Sequence, residues 1–339
     1  FEWYRDNEFV FITVSSIELG AVFLYNHYRT DTLYPHDRLL CFWNIVIEKE
    51  NKNMKKRVFA VILGSVMAVS LMACGTKDEG AEDGTKTYTV GISQFAEHGS
   101  LDNCREGFLL GLEESGLVEG VDYVIDYQNA GFDDTIAQQI AQNFSANNVA
   151  LMCGIATNSA TACYAAAEDK NIPVIFTAIT DPVKAKLDSG NITGTSDKLP
   201  IEEQLKLIRA LQPDAKTIGI LYTTSEPNSV SAVEEYQAKA PEFGFTIEAI
   251  GVMQQSEVLQ AADTMISKGV DCMTNLTDNN VVGVLPSILE KTNDAGIPVY
   301  GSEIEQVKIG CVASAGIEYV ALGKRTGEMA AKILKGEAT

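Results

Sequence analysis

Residues 87–116 read TYTVGISQFAEHGSLDNCREGFLLGLEESG and contain one complete strand-to-helix unit. TYTVGIS is rich in β-branched residues and predicts a strand, whereas REGFLLGLEESG spaces its apolar residues three or four apart and ends in glycine, as an amphipathic helix does. Further strands are predicted at 123–128, 150–155 and 173–177, with a second helical pattern, DTIAQQIAQNFSANN, before the third strand. This alternation predicts an α/β fold with a parallel sheet covered by helices on both faces.

The same pattern occurs a second time along the chain. TVGIS at 89–93 is matched by TIGIL at 217–221, ALMCGIATNSA by DCMTNLTDNNV, and NIPVIF at 171–176 by GIPVYG at 296–301. The three matches keep the same order and nearly the same separation, about 125 residues. They predict two similar lobes, each a doubly wound parallel sheet flanked by helices. In such sheets ligands bind where the strands end, so the ligand cleft is expected between the lobes.

Residues 54–80, MKKRVFAVILGSVMAVSLMACGTKDEG, have the three-part layout of a secretory signal. The apolar run at 58–73 is shorter than the ~20 residues that comfortably span a bilayer. LMAC resembles the bacterial lipobox, in which the signal is cut before the cysteine and that cysteine is lipidated. We therefore predict a signal peptide at 54–73 and a lipidated Cys74 with a flexible tether at 74–86; the alternative is a buried helix with a core cysteine.

The remaining segments follow from these assignments. Residues 1–53 contain no methionine and are interpreted as translated upstream sequence or a gene-calling artefact, the alternative being an N-terminal membrane or folded segment. Lobe 1 is predicted at 87–200 and lobe 2 at 201–306. Residues 307–339 are predicted to cross over and to end in a helix that packs back on lobe 1.

Composition argues against several classes of function. The chain has 26 basic and 46 acidic residues and a formal net charge of −20, so the clustered basic face of a nucleic-acid-binding protein is not expected. His98 is the single histidine after Cys74, which gives a histidine-based metal site or catalytic triad little material. No cofactor, metal or enzymatic activity is predicted. The later cysteines show no CxxC spacing and are interpreted as small core residues, although a disulfide stays open.

Polar side chains follow the predicted strands at five loops. Hydroxyls, amides or carboxylates occur in each of ATNSA at 156–160, AITDP at 178–182, TTSEPNS at 223–229, TDNN at 277–280 and GSE at 301–303. A helix N-terminus together with serine or threonine hydroxyls is a ready anion site. The alternative is that these residues only cap helices.

Residues 88–337 resemble the bacterial ABC-transporter substrate-binding lipoproteins of the tryptophan/tyrosine-binding type. The resemblance rests on the following motifs: VGISQFAEHGSLDNCREGF, YQNA, GIATNSA, IPVIFTAITDPV, GNITGTSD, ILYTTSEPNSV, TDNN, IPVYGSE and ALGKRTGEMAAKILKGE. It implies the periplasmic-binding-protein type I fold, closing around a small ligand that is often an aromatic amino acid. It also implies an exported monomer, lipid-anchored at the cell membrane, that delivers the ligand to a permease. Family chains usually continue beyond KGE, and Asn158 stands where the family commonly has proline.

Under this resemblance, an amino-acid zwitterion needs donors for its carboxylate and an acceptor for its ammonium group. Candidate carboxylate ligands are Thr157, Ser159, Ser225, Asn228 and Ser229, with Asn158 and Asn279 in the same loops. Asp278, with Glu303 as second choice, is expected to bind the ammonium group. Gln94, Phe95, Thr180 and Asp181 are expected to line the side-chain pocket, Phe95 having core packing as its alternative. Binding of a sugar or nucleoside, a regulator with this fold, and an enzyme on the same scaffold stay open.

Overall fold

The computed structural model describes residues 10–16, 21–27 and 87–337. The predicted signal peptide, Cys74 and the tether lie outside these residues. The strands are β1 Val10–Ser16, β2 Ala21–His27, β3 Tyr88–Gln94, β4 Tyr123–Asn129, β5 Leu151–Ile155, β6 Val174–Thr177, β7 Ile192–Gly194, β8 Thr217–Thr223, β9 Thr246–Val252, β10 Cys272–Thr274, β11 Val299–Tyr300 and β12 Ala313–Gly316. The α-helices are α1 Gly99–Glu114, α2 Asp134–Ala146, α3 Thr157–Ala167, α4 Ile201–Leu211, α5 Pro227–Lys239, α6 Val258–Ser267, α7 Asn279–Gly283, α8 Leu285–Asp294, α9 Ile304–Lys308 and α10 Tyr319–Leu334. No helix within these described ranges is long and apolar enough to cross a membrane.

Lobe 1 is built on five parallel strands in the order β4-β3-β5-β6-β7. Every residue of β5 and β6 is buried, as expected for the central strands of a parallel sheet that helices cover on both faces. Helix α1 packs against α10, and α2 packs against α3. The strands that the sequence predicts are therefore confirmed to within about one residue at their ends.

Lobe 2 repeats this arrangement with four parallel strands in the order β11-β10-β8-β9. Strands β8, β10 and β11 take the places that β3, β5 and β6 occupy in lobe 1, which confirms the internal repeat. A parallel bridge from Gly301 to Ser314 places β12 beside β11. Val307, Cys311 and Ala313, in the segment that the sequence assigned to the crossover, are buried in the core of lobe 2.

A hairpin from the segment set aside as upstream sequence adds to this edge. Strand β1 pairs antiparallel with β2, and it also pairs with β12 from Phe11–Gly316 to Val14–Ala313. The interpretation of residues 1–53 as upstream translation stays a prediction.

Helix α10 returns the chain to lobe 1 through an unusually close helix contact. A Cβ atom on Gly107 would lie 2.1 Å from the carbonyl oxygen of Val320, and one on Gly323 would lie 2.0 Å from that of Cys104. The two helices therefore touch through their backbones, as only glycine allows. This contact fixes the start of α10, where Tyr319 reaches the cleft. The five cysteines after residue 87 are all free and buried, in agreement with their interpretation as small core residues.

Candidate ligand-binding site

A pocket lies between the two lobes, at the carboxyl ends of the strands where the topology predicts it. From lobe 1 and the crossover it is lined by His98, Ser100, Leu101, Ala156, Thr157, Ala178, Thr180, Asp197 and Tyr319. From lobe 2 it is lined by Asn228, Thr277, Asn279, Val282 and Gln306. Lysine and arginine are absent from this lining, so the pocket has no fixed cation.

The lobes are closed over the pocket. Three hydrogen bonds join the lobes at residues that line the pocket: His98 Nε2 to Asn279 Oδ1 at 3.1 Å, Thr180 Oγ1 to Thr277 Oγ1 at 3.3 Å, and Ser100 Oγ to Glu303 Oε1, behind the pocket wall, at 3.1 Å. Further contacts cross at the rim, among them Ser231 Oγ to Asp181 Oδ2 at 3.2 Å, Asn103 Nδ2 to Glu305 Oε1 at 3.0 Å, and Lys184 Nζ to Glu234 Oε2 at 2.7 Å. A ligand in this arrangement contacts both lobes, which links affinity to closure.

Two alanines on the lobe 1 wall have backbone conformations that side chains disfavour. Ala156 follows β5 with φ 75° and ψ 157°, and Ala178 follows β6 with φ 59°. Such conformations cost on the order of 1–3 kcal/mol each and cluster at binding sites. Here each occurs where a central strand ends, and the Ala156 amide donates to the carbonyl oxygen of Thr177 at 3.1 Å. The strained turn directs the start of α3 into the cavity.

Three polar side-chain atoms of this lining are buried without a hydrogen-bond partner: Thr157 Oγ1, Asn228 Oδ1 and His98 Nδ1. In the part of the chain that the structure describes, Asn275 Nδ2 is the fourth such atom. Leaving a buried polar group unpaired costs about 1–3 kcal/mol. Their convergence on one cavity therefore indicates a ligand that completes their hydrogen bonds.

Asn228 presents its carbonyl oxygen to the cavity because its amide nitrogen is held on the opposite side. Nδ2 donates to Glu226 Oε2 at 3.2 Å, to Ser229 Oγ at 3.3 Å and to the Thr277 carbonyl oxygen at 3.0 Å. The NH₂ orientation thus follows from three acceptors. Oδ1 is left as an acceptor in the pocket.

Glu226 lies behind this wall and organises it. The side chain is fully buried, and besides Asn228 it accepts from Asn279 N and Nδ2 at 3.0 and 2.7 Å and from Asn280 N and Nδ2 at 3.2 and 2.9 Å. Burial and the charge of Asp278 raise the pKa of Glu226 well above its usual range, against these hydrogen bonds, which lower it. Although Glu226 precedes α5, it caps the first turn of α7.

Asp197 is the carboxylate that lines the pocket. It is buried, and each oxygen accepts one hydrogen bond, from Thr180 Oγ1 at 2.9 Å and from the Tyr319 hydroxyl at 2.7 Å. Burial raises its pKa, and these two hydrogen bonds oppose the rise. A carboxylate offers about four lone-pair sites, so Asp197 can still accept from a ligand.

The two carboxylates predicted from the sequence to bind an ammonium group are placed differently. Asp278 caps α7 and accepts from Thr223 N, from Thr223 Oγ1 at 2.9 Å and from Val281 N at 2.9 Å. Glu303 caps α9, accepting from Glu305 N at 2.7 Å and Gln306 N at 3.0 Å. Neither lines the pocket, and burial raises the pKa of both, that of Glu303 to about 7.

The remaining predicted residues divide between the pocket and its surroundings. Thr157, Thr180, Asn228 and Asn279 line the cavity. The others do not line it: Gln94 bonds Asp102 and Arg105, Phe95 is core, Asn158 bonds Asp134, Ser159 accepts from Ser93, Asp181 bonds across the rim, Ser225 is exposed, and Ser229 lies behind Asn228.

Sequence reasoning did not select His98, Asp197 or Tyr319 as ligand contacts, nor Glu226 as their support. Asp197 ends the GNITGTSD motif and Glu226 sits inside SEPNS, so the motifs contain the signal without singling out the residue. Within the described ranges no group of three or more histidine, cysteine, aspartate or glutamate side chains could hold a metal ion.

Known proteins resemble this chain over most of its length. A family profile described as ABC transporter substrate binding protein matches residues 89–339. The tyrosine-binding protein of Clostridioides difficile strain R20291 is 36% identical over 297 residues, covering 84% of this chain and 85% of that relative.

Two solved structures differ in how well they fit. An ABC domain from Streptococcus pneumonia in complex with L-Trp has 36% identity and a TM-score of 0.71, covering 74% of this chain and 86% of that chain. The ligand-free, open structure of a substrate-binding protein with adhesive properties from Clostridium difficile has 38% identity and the same coverages, with a TM-score of 0.54. The better fit at similar identity is to the L-Trp complex, as expected for lobes that contact each other across the cleft.

Proposed function

Since the chain belongs to the ABC transporter substrate-binding protein family, we propose that it captures an aromatic amino acid, such as tryptophan or tyrosine, by closing its two lobes. The family acts outside the cytoplasm and supplies a transporter. The observation that carries the ligand proposal is the set of unpartnered buried atoms on facing walls of one pocket. An amino acid has both the acceptor and the donors that this set lacks.

The ligand carboxylate is assigned to the start of α3. Thr157 supplies an unpartnered, buried hydroxyl, and it begins an 11-residue helix whose start lines the pocket. Helix N-termini favour anions through their free amides and the helix dipole. The strained turn at Ala156 supports this placement, because strain of that kind is retained where it serves binding.

The ligand ammonium group is assigned to Asp197 and Asn228. Asp197 adds a charge-assisted hydrogen bond, which is stronger than a neutral one, and Asn228 Oδ1 adds an acceptor from lobe 2. Asp278 and Glu303 contribute negative charge from behind the wall. In this assignment the ligand bridges the lobes and stabilises closure.

A thermal-shift screen of the full chain against the twenty amino acids, nucleosides and sugars tests the ligand class. A ligand at 100 times its Kd adds about 2.7 kcal/mol to the free energy of unfolding. We expect tryptophan or tyrosine to give the largest shift in melting temperature. Chromatography should recover the added amino acid chemically unchanged. Stabilisation by sugars or nucleosides alone contradicts the ligand class, and accumulation of a product supports an enzyme.

The membrane attachment is a separate proposal that rests on LMAC and the preceding basic and apolar segments. Expression from Met54 in a bacterium is expected to give a protein that begins at acylated Cys74. More than one acyl chain makes such an anchor stable. An unmodified Cys74 in the mass spectrum contradicts it. The mature protein is proposed to deliver its ligand to a permease and to act as a monomer. Light scattering, which measures the molar mass in solution, tests the monomeric state.

A further inference from the structure

We propose that Glu226, which does not line the pocket, is a positioning residue that makes two pocket atoms hydrogen-bond acceptors and so selects ligands with a protonated amine. This inference rests on the proposed function and deepens it. It concerns Asn228 Oδ1 and His98 Nδ1, both buried and unpartnered. Each could in principle present either a donor or an acceptor, and Glu226 decides between them.

The first effect of Glu226 is on Asn228. Both Glu226 oxygens accept from N–H donors of Asn279 and Asn280, so the carboxyl group also meets the Asn228 NH₂ group as an acceptor, at 3.2 Å, and holds it away from the cavity. Rotation of the amide by 180° would place a carbonyl oxygen against Glu226 and the Thr277 carbonyl, with repulsion at both. Oδ1 is therefore kept in the pocket.

The second effect reaches His98 through Asn279. Glu226 Oε2 accepts from Asn279 Nδ2 at 2.7 Å, which leaves Asn279 Oδ1 as the atom facing His98 Nε2 at 3.1 Å. An oxygen acceptor requires that Nε2 carry the hydrogen. Burial favours the neutral ring by lowering the pKa of His98. The Nδ1 lone pair then points into the cavity as a second acceptor.

Two acceptors facing one space select for donors. An ammonium group has three N–H bonds and can satisfy both atoms, whereas an analogue without the amine leaves them buried and unpaired. Sites that hydrogen-bond a substrate group reject analogues that lack it much more strongly than apolar pockets reject a missing methylene. The pocket should therefore discriminate L-tryptophan from indole-3-propionate, which lacks only the amine.

Calorimetric titration of the full-length protein and its Glu226→Gln variant with these two compounds tests the inference. In this variant the glutamine NH₂ group would face N–H donors of Asn279 or Asn280. The backbone N–H groups cannot rotate away, so the amide side chain of an adjacent asparagine must reorient. We expect L-tryptophan binding to weaken about tenfold or more, with a smaller change for indole-3-propionate. Unchanged discrimination in a folded variant overturns the inference, while a wild-type protein that binds neither compound contradicts the proposed ligand class instead.

Asp271→Asn is the matched control. Asp271 is a carboxylate in the same lobe that accepts from Lys216 N at 2.7 Å and Thr217 N at 2.8 Å, at the amino ends of the strands, opposite the pocket. It should lower the melting temperature without changing the discrimination between the two compounds. Equal loss of discrimination in both variants would show a general effect of destabilisation and overturn the role of Glu226.

The wild-type protein gives a second test that does not depend on folding of a variant. Nitrogen-15 NMR of labelled histidine distinguishes the two neutral tautomers from the imidazolium form, and His98→Gln identifies the His98 signals. We expect a neutral ring with the hydrogen on Nε2 at pH 7. A ring with the hydrogen on Nδ1, or a charged ring, overturns the inference.

Discussion

The two lobes share a strand order, yet they prepare their walls of the pocket in opposite ways. On lobe 1, α3 begins with a strained alanine and an unpartnered threonine hydroxyl. On lobe 2, α5 and α7 begin with Glu226 and Asp278, buried carboxylates that accept from backbone amides and from side chains. The start of α3 on lobe 1 therefore has no supporting carboxylate, whereas buried carboxylates stand at the starts of α5 and α7 on lobe 2.

Under the proposed function, the difference follows from which ligand charge the helix starts of each lobe meet, while the ammonium group also meets Asp197 on lobe 1. A carboxylate ligand is bound by helix amides that are already in place, so lobe 1 needs only an unoccupied helix start. An ammonium ligand needs acceptors with a fixed orientation, and amide side chains acquire one only when a second group holds their NH₂ end. Lobe 2 therefore uses buried carboxylates to fix the orientation of its amide side chains.

The substitution with the largest expected effect on affinity is Asp197→Asn. It keeps the shape but removes the one carboxylate that lines the pocket, so affinity for L-tryptophan should fall by about 1.5–3 kcal/mol, or roughly tenfold to a hundredfold. Calorimetric titration measures the loss. Wild-type affinity in this variant would return the ammonium contact to Asp278 or Glu303.

Asp278→Asn sharpens the comparison because it changes a residue that caps α7 behind the pocket wall and none that lines the pocket. Its amide would face Thr223 N or Val281 N with a donor, so the free energy of unfolding should fall by about 1–3 kcal/mol. Affinity should change less than in Asp197→Asn. Chemical unfolding and calorimetric titration of the two variants distinguish a residue that caps a helix from one that contacts the ligand. A larger affinity loss in Asp278→Asn than in Asp197→Asn would mean that Asp278 is the ligand contact.

The sequence predicted the frame of this site better than its details. Strand ends fix where a loop begins, so Thr157, Thr180, Asn228 and Asn279 could be placed at the cleft from periodicity and the internal repeat. Whether a carboxylate in such a loop caps a helix or faces a ligand depends on the direction of one side chain. The sequence around Asp278 fits both a helix cap and a ligand contact.

Contacts between distant segments were beyond prediction for a further reason. The link from Glu226 to Asn279 joins residues 53 apart in sequence, and it exists only once the α5 and α7 loops lie side by side. Asp197 follows the three-residue strand β7 in the crossover, where no periodic pattern identifies a pocket residue. Tyr319 reaches the cleft because glycines let α10 approach α1.

The buried acids of lobe 2 give the unliganded protein an inverted dependence on pH. Burial raises the pKa of Glu303 from its ordinary 4.5 to about 7, and burial raises that of Asp278 also. The folded chain then binds more protons than the unfolded chain, so stability is full below the ordinary pKa and falls as pH rises through the raised one. Between about pH 4.5 and 7, the ordinary and the raised pKa of Glu303, the loss can approach about 1.4 kcal/mol per pH unit.

Guanidinium unfolding at a series of pH values measures this dependence, and Glu303→Gln should flatten it. Ligand affinity should change in the opposite direction, rising with pH, since an ammonium group favours the ionised acids. A stability that rises steadily from about pH 4.5 to 7 would contradict the assignment of buried, destabilising charge to lobe 2.

Thr157→Val tests the incomplete wall of lobe 1. The substitution keeps the branched shape and removes a hydroxyl that has no partner in the unliganded protein, so stability should be unchanged or slightly higher. Affinity should fall by about 0.5–1.5 kcal/mol, the usual contribution of one neutral hydrogen bond. Ser225→Ala, at an exposed position outside the pocket, is the control and should alter neither quantity.

The smallest expected effect belongs to the rim, where the two walls meet in solvent. Lys184 Nζ lies 2.7 Å from Glu234 Oε2 across the cleft, but both side chains are at least half exposed, and such pairs contribute about 0–1 kcal/mol. Lys184→Ala should therefore weaken ligand binding by less than about fivefold, and the loss should vanish in high salt. Lys239 pairs with Glu202 at 2.8 Å within lobe 2, so Lys239→Ala should leave affinity unchanged at any salt concentration. An affinity loss in Lys184→Ala that matches Asp197→Asn would mean that closure is held at the rim, and that the contrast between the two inner walls is not what sets affinity.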